Sequence, residues 1–129
     1  MRKLVRRGWL AVATIPLVVL ATSHTAFAVN GTAYAADHDA VTYYFDSGDY
    51  VTVCDEEYDA HGAVGWIEVR QADGSYKAFP HLYEGSGYNH CTQVVQDVLR
   101  ESSRVKVVSC LQDGRYGRPY SCGFTYTNG

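Results

Sequence analysis

The sequence lacks the short motifs by which common catalytic and metal-binding sites are identified. It contains no CxxC pair, no HExxH and no GxSxG, so nothing fixes the geometry of a zinc site or a serine hydrolase. Calcium is the one alternative, because six acids cluster between Asp46 and Asp59, but their spacing matches no EF-hand loop. We therefore expect neither a cofactor nor a metal.

The sequence also lacks an apolar run long enough to cross a bilayer comfortably. Its apolar run at residues 9–21 follows four basic residues and precedes the small residues Ala26 and Ala28. This pattern predicts a secretory signal peptide over residues 1–28, with a second candidate cleavage site after Ala35 and a retained anchor as the alternative. We expect the mature chain to be secreted and extracellular, without membrane contact.

Positive charge is scarce once the signal peptide is removed. The remaining 101 residues carry seven Lys and Arg against fourteen Asp and Glu, a net charge of −7. The seven bases are scattered along the sequence, whereas binding to a polyanion requires a clustered basic face. Nucleic acid is therefore not an expected partner.

A domain of about 100 residues buries little more than ~60% of its unfolded surface and is marginally stable without crosslinks. Four cysteines in an exported chain predict two disulfides. Three pairings are possible for Cys54, Cys91, Cys110 and Cys122. A hairpin between the last two favours Cys110–Cys122, which leaves Cys54–Cys91 by elimination.

Aromatic and β-branched residues alternate with turn residues along the mature chain, which is typical of an all-β protein. We expect an antiparallel β-sandwich or small barrel of six to seven strands over residues 41–129, preceded by a flexible N-terminus at residues 29–40. Asp73-Gly74 is the strongest hairpin signal. Residues 81–90 are expected to form a loop, and residues 92–100 fit a strand or a helix, with their valine content favouring a strand.

Alternation along the strands predicts which side chains form the interior. Six residues share one parity and are expected inside: Val51, Val53, Ile67, Val69, Val105 and Val107. The opposite parity is also apolar, with Tyr50, Trp66, Phe124 and Tyr126. Either the sandwich curls tightly or one sheet face carries an aromatic surface.

Tyrosine is abundant, with eleven residues in the chain, and it is favoured both in packing and at recognition surfaces. We expect packing for the tyrosines inside strands, Tyr43, Tyr50, Tyr120 and Tyr126. The segment between Cys110 and Cys122 places Tyr116 at the tip of a constrained turn, although its glycines also explain it as a plain turn. The predicted binding residues are Arg115, Tyr116 and Arg118, followed by Tyr83, Tyr88 and His90.

These features favour a monomeric binding module, possessing no chemistry of its own, for an extracellular protein or polysaccharide. The alternative is a small extracellular hydrolase that assembles Glu68, Arg70, His81 and His90 into a site. A third alternative is a structural protein whose tyrosines make self-contacts.

Several segments, VTVCD, DAHGAVGWIEVR, NHC and the VSC and YSC pair, lie within residues 50–124. In these the chain resembles the small four-cysteine secreted proteins of actinobacteria. It is also similar to the streptomycete proteinaceous α-amylase inhibitors, two-disulfide β-sandwiches that use a Trp-Arg-Tyr triplet on a turn. Gly114, Arg115 and Tyr116 stand at the triplet positions, so this resemblance implies Arg115 and Tyr116 as contact residues of an inhibitor.

Overall fold

The computed structural model describes residues 30–99 and 103–128, and these form an all-β fold of two antiparallel sheets. The predicted signal peptide lies outside the described residues. The fold class is confirmed, with nine strands where six to seven were expected. The strands are β1 (Gly31–Tyr34), β2 (Ala40–Phe45), β3 (Tyr50–Asp55), β4 (Gly62–Arg70), β5 (Tyr76–Ala78), β6 (Leu82–Glu84), β7 (Cys91–Val95), β8 (Arg104–Gln112) and β9 (Tyr120–Asn128).

One sheet has four strands in the order β1-β2-β3-β7, and the other has the order β5-β4-β8-β9 with β6 also paired to β4. The β4–β5 hairpin turns at the predicted Asp73-Gly74. Gly74 adopts a φ of 87°, which favours glycine, and its amide donates to the Gln71 carbonyl at 3.0 Å. The five-stranded sheet is built around β4 and β8, whose eight-residue register is the longest in the fold.

Strand β1 lies within the segment that the sequence analysis expected to be flexible. It pairs with β2 from Gly31↔Tyr44 to Tyr34↔Val41, and Ala33 is buried in the core. Small residues have low strand propensity, so the sequence carries no strand signal here. The segment is ordered because a small side chain fits between the sheets.

Two further segments differ from or refine the sequence-based expectation. The expected loop at residues 81–90 contains β6, which pairs with Ala63–Gly65 on β4. In the ambiguous segment that follows, Cys91–Val95 forms β7, so the preference for a strand is confirmed there. Three residues in β6 are too few to produce a recognisable alternation.

The interior is built from small side chains. All six residues predicted to face inward, five valines and one isoleucine, are at most 6% exposed. The core cluster contains four alanines and six valines, and its larger members are Tyr44, Ile67 and Leu111. Little apolar surface is buried per residue in such a core, so covalent crosslinks contribute strongly to stability.

Both favoured disulfide pairings are present. Cys54–Cys91 joins β3 to the edge strand β7 at directly paired positions. Cys110–Cys122 joins β8 to β9 beside a register shift between Ser109 and Leu111. All cysteines in the described residues are therefore paired.

The large aromatic side chains lie mostly outside this interior. Trp66, Phe124 and Tyr126 share the outer face of the five-stranded sheet, which corresponds to the second of the two alternatives that the strand alternation left open, an aromatic sheet face. Of the tyrosines expected to pack, Tyr50, Tyr120 and Tyr126 are 37 to 43% exposed and lie outside the core, although Tyr126 packs against Tyr76 and Phe124 on the outer face. Tyr44 is the fully buried tyrosine instead. Parity assigns a face, but the sequence does not show which face is covered.

The contrast between a valine interior and an exposed ring is testable. Val107→Ala removes two methyl groups from a fully buried site and should lower the free energy of unfolding by about 2 kcal/mol. Phe124→Ala, at a site 60% exposed, should lower it by less than about 1 kcal/mol. Urea unfolding of both variants measures the difference. A larger loss for Phe124→Ala would show that the outer rings stabilise the fold.

Candidate functional site

The connection between β8 and β9, residues 113–119, projects from one end of the five-stranded sheet; we call it the tip loop. Gly114 has a φ of 75°, and the Gly117 amide donates to the Gly114 carbonyl at 3.1 Å. These glycines are the turn formers that the sequence indicated. Between them Tyr116 is 96% exposed, at the tip predicted for it.

The tip loop is held by the side chain of Gln112, the last residue of β8. This side chain is buried, and its amide nitrogen donates to the carbonyls of Gly114 at 2.9 Å and Arg115 at 3.1 Å. A buried amide that satisfies two loop carbonyls restrains the backbone in one arrangement. Sequence reasoning missed Gln112, because one glutamine at a strand end carries no recognisable signal.

The base of the tip loop is also held by contacts among His61, Asp113 and Tyr120. The Asp113 Oδ1 lies 2.5 Å from His61 Nδ1 and accepts a hydrogen bond from the Tyr120 hydroxyl at 3.1 Å. The Tyr120 hydroxyl also lies 2.9 Å from His61 Nδ1. The backbone amide of His61 donates to the Asp59 carboxylate at 2.9 Å. These contacts connect the loop to the residues that precede β4.

The contact between His61 and Asp113 changes the pKa of both. The hydrogen bond to Asp113 raises the pKa of His61, and the same bond lowers the pKa of Asp113. Desolvation, followed by the bond to Asp113, raises the pKa of Tyr120. The His61–Asp113 contact is therefore an ion pair below the raised pKa of His61 and a weaker contact above it.

Tyr83 lies on β6 between two hollows. A hollow of about 320 Å³ is bounded by Tyr83, His81 and the tip loop residues Arg115, Gly117 and Pro119. A second hollow, of about 330 Å³, has Tyr83, Tyr88 and His61 beside three acids, Asp55, Glu57 and Asp59. The ring of Tyr83 occupies the space next to Gly62 and Gly85, where any β-carbon would collide with it. The Tyr83 ring thus lies against the first residue of β4 and the residue that follows β6.

The structure brings most, but not all, of the predicted binding residues together. Arg115, Tyr116 and Arg118 are on the tip loop, Tyr83 adjoins it, and Tyr88 lines the second hollow. His90 borders neither hollow; its amide donates to Gly87 and its carbonyl accepts from Asp55. Another hollow, about 400 Å³ and mainly apolar, lies between β5 and residues 97–99 and includes none of the predicted residues.

The residues of the alternative hydrolase site are not all neighbours. The Glu68 carboxylate accepts a hydrogen bond from Trp66 Nε1 at 3.0 Å and forms an ion pair with Lys106 Nζ at 3.4 Å. His81 stacks on Trp66 with ring centroids 3.7 Å apart, and desolvation lowers its pKa. Arg70 lies two residues beyond Glu68 on β4. His90 precedes β7 in the other sheet.

Two of the acids between Asp46 and Asp59, Asp49 and Asp55, have different surroundings. Asp49 accepts hydrogen bonds from the Tyr44 hydroxyl and the Val98 amide, both at 3.1 Å. Asp55 is buried, and burial raises its pKa. Within residues 30–99 and 103–128, no group of three or more His, Cys, Asp or Glu side chains is arranged to hold a metal.

Comparison with known proteins found no match to this chain among protein families, curated proteins or solved structures. No helix in the described part of the chain is long and apolar enough to cross a membrane. The fold and the site therefore define a β-sandwich with two disulfides and one restrained, projecting loop.

The electrostatics at the base of the loop can be checked by NMR. In a pH titration of the histidine ring signals, His61 should titrate above about 6.5, the ordinary pKa of histidine, and His81 below it. Asp113→Asn should return the His61 pKa towards the ordinary value and leave His81 unchanged. Asp73→Asn, which removes an exposed carboxylate bonded to Ser75 in another turn, is the control. Unchanged titration of His61 in Asp113→Asn would contradict the assigned contact.

Proposed function

We propose that this protein is an exported binding module that inserts its tip loop into a concave site on another extracellular protein. The observation that carries the proposal is the nearly complete exposure of Tyr116 on a restrained backbone. An aromatic ring held in water gains more contact area on binding than any other residue of this loop.

Restraint of the loop lowers the entropy that is lost on binding. The Cys110–Cys122 bond closes the hairpin below the tip, and Gln112 fixes the carbonyls above it. Such a loop enters a partner already in its bound conformation, which is the property of tight protein inhibitors.

The shape and charge of the tip indicate the kind of partner. A convex loop fits a pocket rather than a flat surface, and Arg115 and Arg118 flank the ring with positive charge on an acidic protein. An acid-lined cleft of an enzyme provides both features. The similarity of Arg115 and Tyr116 to the inhibitor triplet makes α-amylase one enzyme to include in a test.

Export is part of the proposal. The two disulfides are consistent with an oxidising extracellular compartment. The signal pattern at residues 1–28 supplies the route. The hydrolase alternative receives less support from the geometry, because the Glu68 carboxylate is bound by Trp66 and Lys106, and His90 precedes β7 of the other sheet.

The test compares two double variants that remove the same pair of residue types. Immobilised protein is exposed to concentrated culture medium of the producing cells and to a panel of secreted enzymes including α-amylase. The captured partner should be lost with Arg115→Ala/Tyr116→Ala, by about a hundredfold or more in affinity. It should be retained by Arg104→Ala/Tyr126→Ala, at the opposite ends of β8 and β9. Both variants should melt like the parent protein, because all four side chains are exposed.

Three results would contradict the proposal: no protein captured at micromolar loading, equal capture by the tip-loop variant, or equal loss in both variants. The last result would indicate that charge and aromatic content alone determine the binding.

A further inference from the structure

The outer face of the five-stranded sheet carries a second group of rings and cations, some exposed and some half-buried, separate from the tip loop. We call it the ring face. It consists of Trp66, Arg70, Tyr76, Arg104, Lys106, Phe124 and Tyr126.

The strand register assembles this face from residues distant in sequence. Trp66 pairs with Val108, which pairs with Phe124, in one row across the sheet. Lys106 is paired to Tyr126 in the next row. Because alternate residues of a strand point to the same side, these rows stand next to each other on one surface.

The rings of the face are in contact with one another. The centroid of Tyr126 lies 6.0 Å from that of Tyr76 and 5.7 Å from that of Phe124. Exposure is 60% for Phe124, 43% for Tyr126 and 36% for Tyr76. A continuous exposed aromatic surface of this kind marks an interaction site more often than it marks packing, particularly where the core is built from valine and alanine.

Cations lie over these rings. The Arg104 guanidinium carbon is 4.5 Å from the centre of the Tyr126 ring, and Lys106 Nζ is 4.9 Å from that of Phe124. Arg70 occupies the outward position next to Arg104 on the neighbouring strand. Although basic residues are scattered in the sequence, three of the six in the described residues meet here.

Negative charge is almost absent from the same surface. On the outward positions of β4, β5, β8 and β9, Glu68 is the one acid in the described residues, and it is paired with Lys106. The whole chain carries fourteen acids and a net negative charge. The ring face is therefore a local positive surface on an acidic protein, which selects for an anionic partner.

We propose that the ring face binds an acidic polysaccharide, a linear polymer of uronic acid units. The C–H groups of a sugar ring carry slight positive charge and stack on the negative faces of Phe124, Tyr126 and Tyr76. The carboxylates of the same units pair with Arg104, Lys106 and Arg70. An open sheet face accommodates a long polymer, whereas the tip loop is convex and presents one ring.

The observations favour this partner over single-stranded nucleic acid, which also stacks on aromatic residues. A base needs the whole flat face of a ring, and Arg104 and Lys106 already cover part of the Tyr126 and Phe124 rings. A sugar touches a ring through a few hydrogens only, and its carboxylate meets the covering cation.

The test uses affinity electrophoresis of the disulfide-bonded protein in gels containing polygalacturonate, neutral dextran or no polymer. Polygalacturonate should retard the parent protein, and dextran should not. Arg104→Ala/Tyr126→Ala should weaken the retardation about tenfold or more. Arg115→Ala/Tyr116→Ala, with the same change in charge and ring count, should leave it unchanged within about twofold. This reverses the pattern expected for the tip loop, so either proposal can fail without the other.

Melting temperatures establish that each variant is folded. If Arg104→Ala/Tyr126→Ala melts early, Lys106→Gln/Phe124→Ala takes its place and the same tenfold loss is expected. A competition with oligothymidylate distinguishes the polymers, because it should displace polygalacturonate poorly. The proposal is overturned by no retardation in polygalacturonate, by equal retardation of the ring-face variants, by equal binding to dextran, or by tighter binding of oligothymidylate.

Discussion

The two disulfides are the constraint on which the rest of this structure depends. The interior between the sheets is made largely of valine and alanine, and such side chains bury little surface on folding. Crosslinks between residues 37 and 12 positions apart restrict the unfolded chain, and in the loop-entropy account they contribute about 4 and about 3 kcal/mol. Together these two contributions are comparable to the whole free energy of unfolding of a small domain.

Because the crosslinks supply stability, the large aromatic residues are free to lie on the surface. Trp66, Phe124 and Tyr126 occupy the outer sheet face, and Tyr116 stands at the tip of a loop. In a domain of this size without disulfides, such rings would be needed inside. Placement of the rings outside is the observation common to both proposed binding surfaces.

The bond between Cys110 and Cys122 also has a local consequence. It lies below the tip loop, beside the bulge at which Ser121 adopts a φ of 50° and β9 gains one residue relative to β8. Gln112 and the Asp113–His61 contact are further restraints on the loop. Strand pairing, the crosslink and side-chain contacts thus all restrain the conformation of the tip loop.

Sequence reasoning reached the features that follow from local patterns. Alternating valines such as Val105 and Val107 identify the interior, and the Cys110–Cys122 spacing identifies a hairpin. It did not find β1, whose Ala33 is buried for its small size rather than its propensity, nor β6, which has only three residues. The row from Trp66 to Phe124 depends on register between strands that are distant in sequence, which no local pattern specifies. The contacts of Gln112 are local, but a single glutamine at a strand end carries no recognisable signal.

The most direct measurement is calorimetric unfolding of the disulfide-bonded protein beside the same protein reduced and blocked at its thiols. The account predicts that the reduced form has no cooperative transition above 25 °C, or melts at least about 20 °C lower, since 1 kcal/mol corresponds to roughly 4–8 °C in a domain of this size. A reduced form that melts cooperatively within a few degrees of the oxidised form would show that the valine and alanine interior is sufficient, and would contradict it.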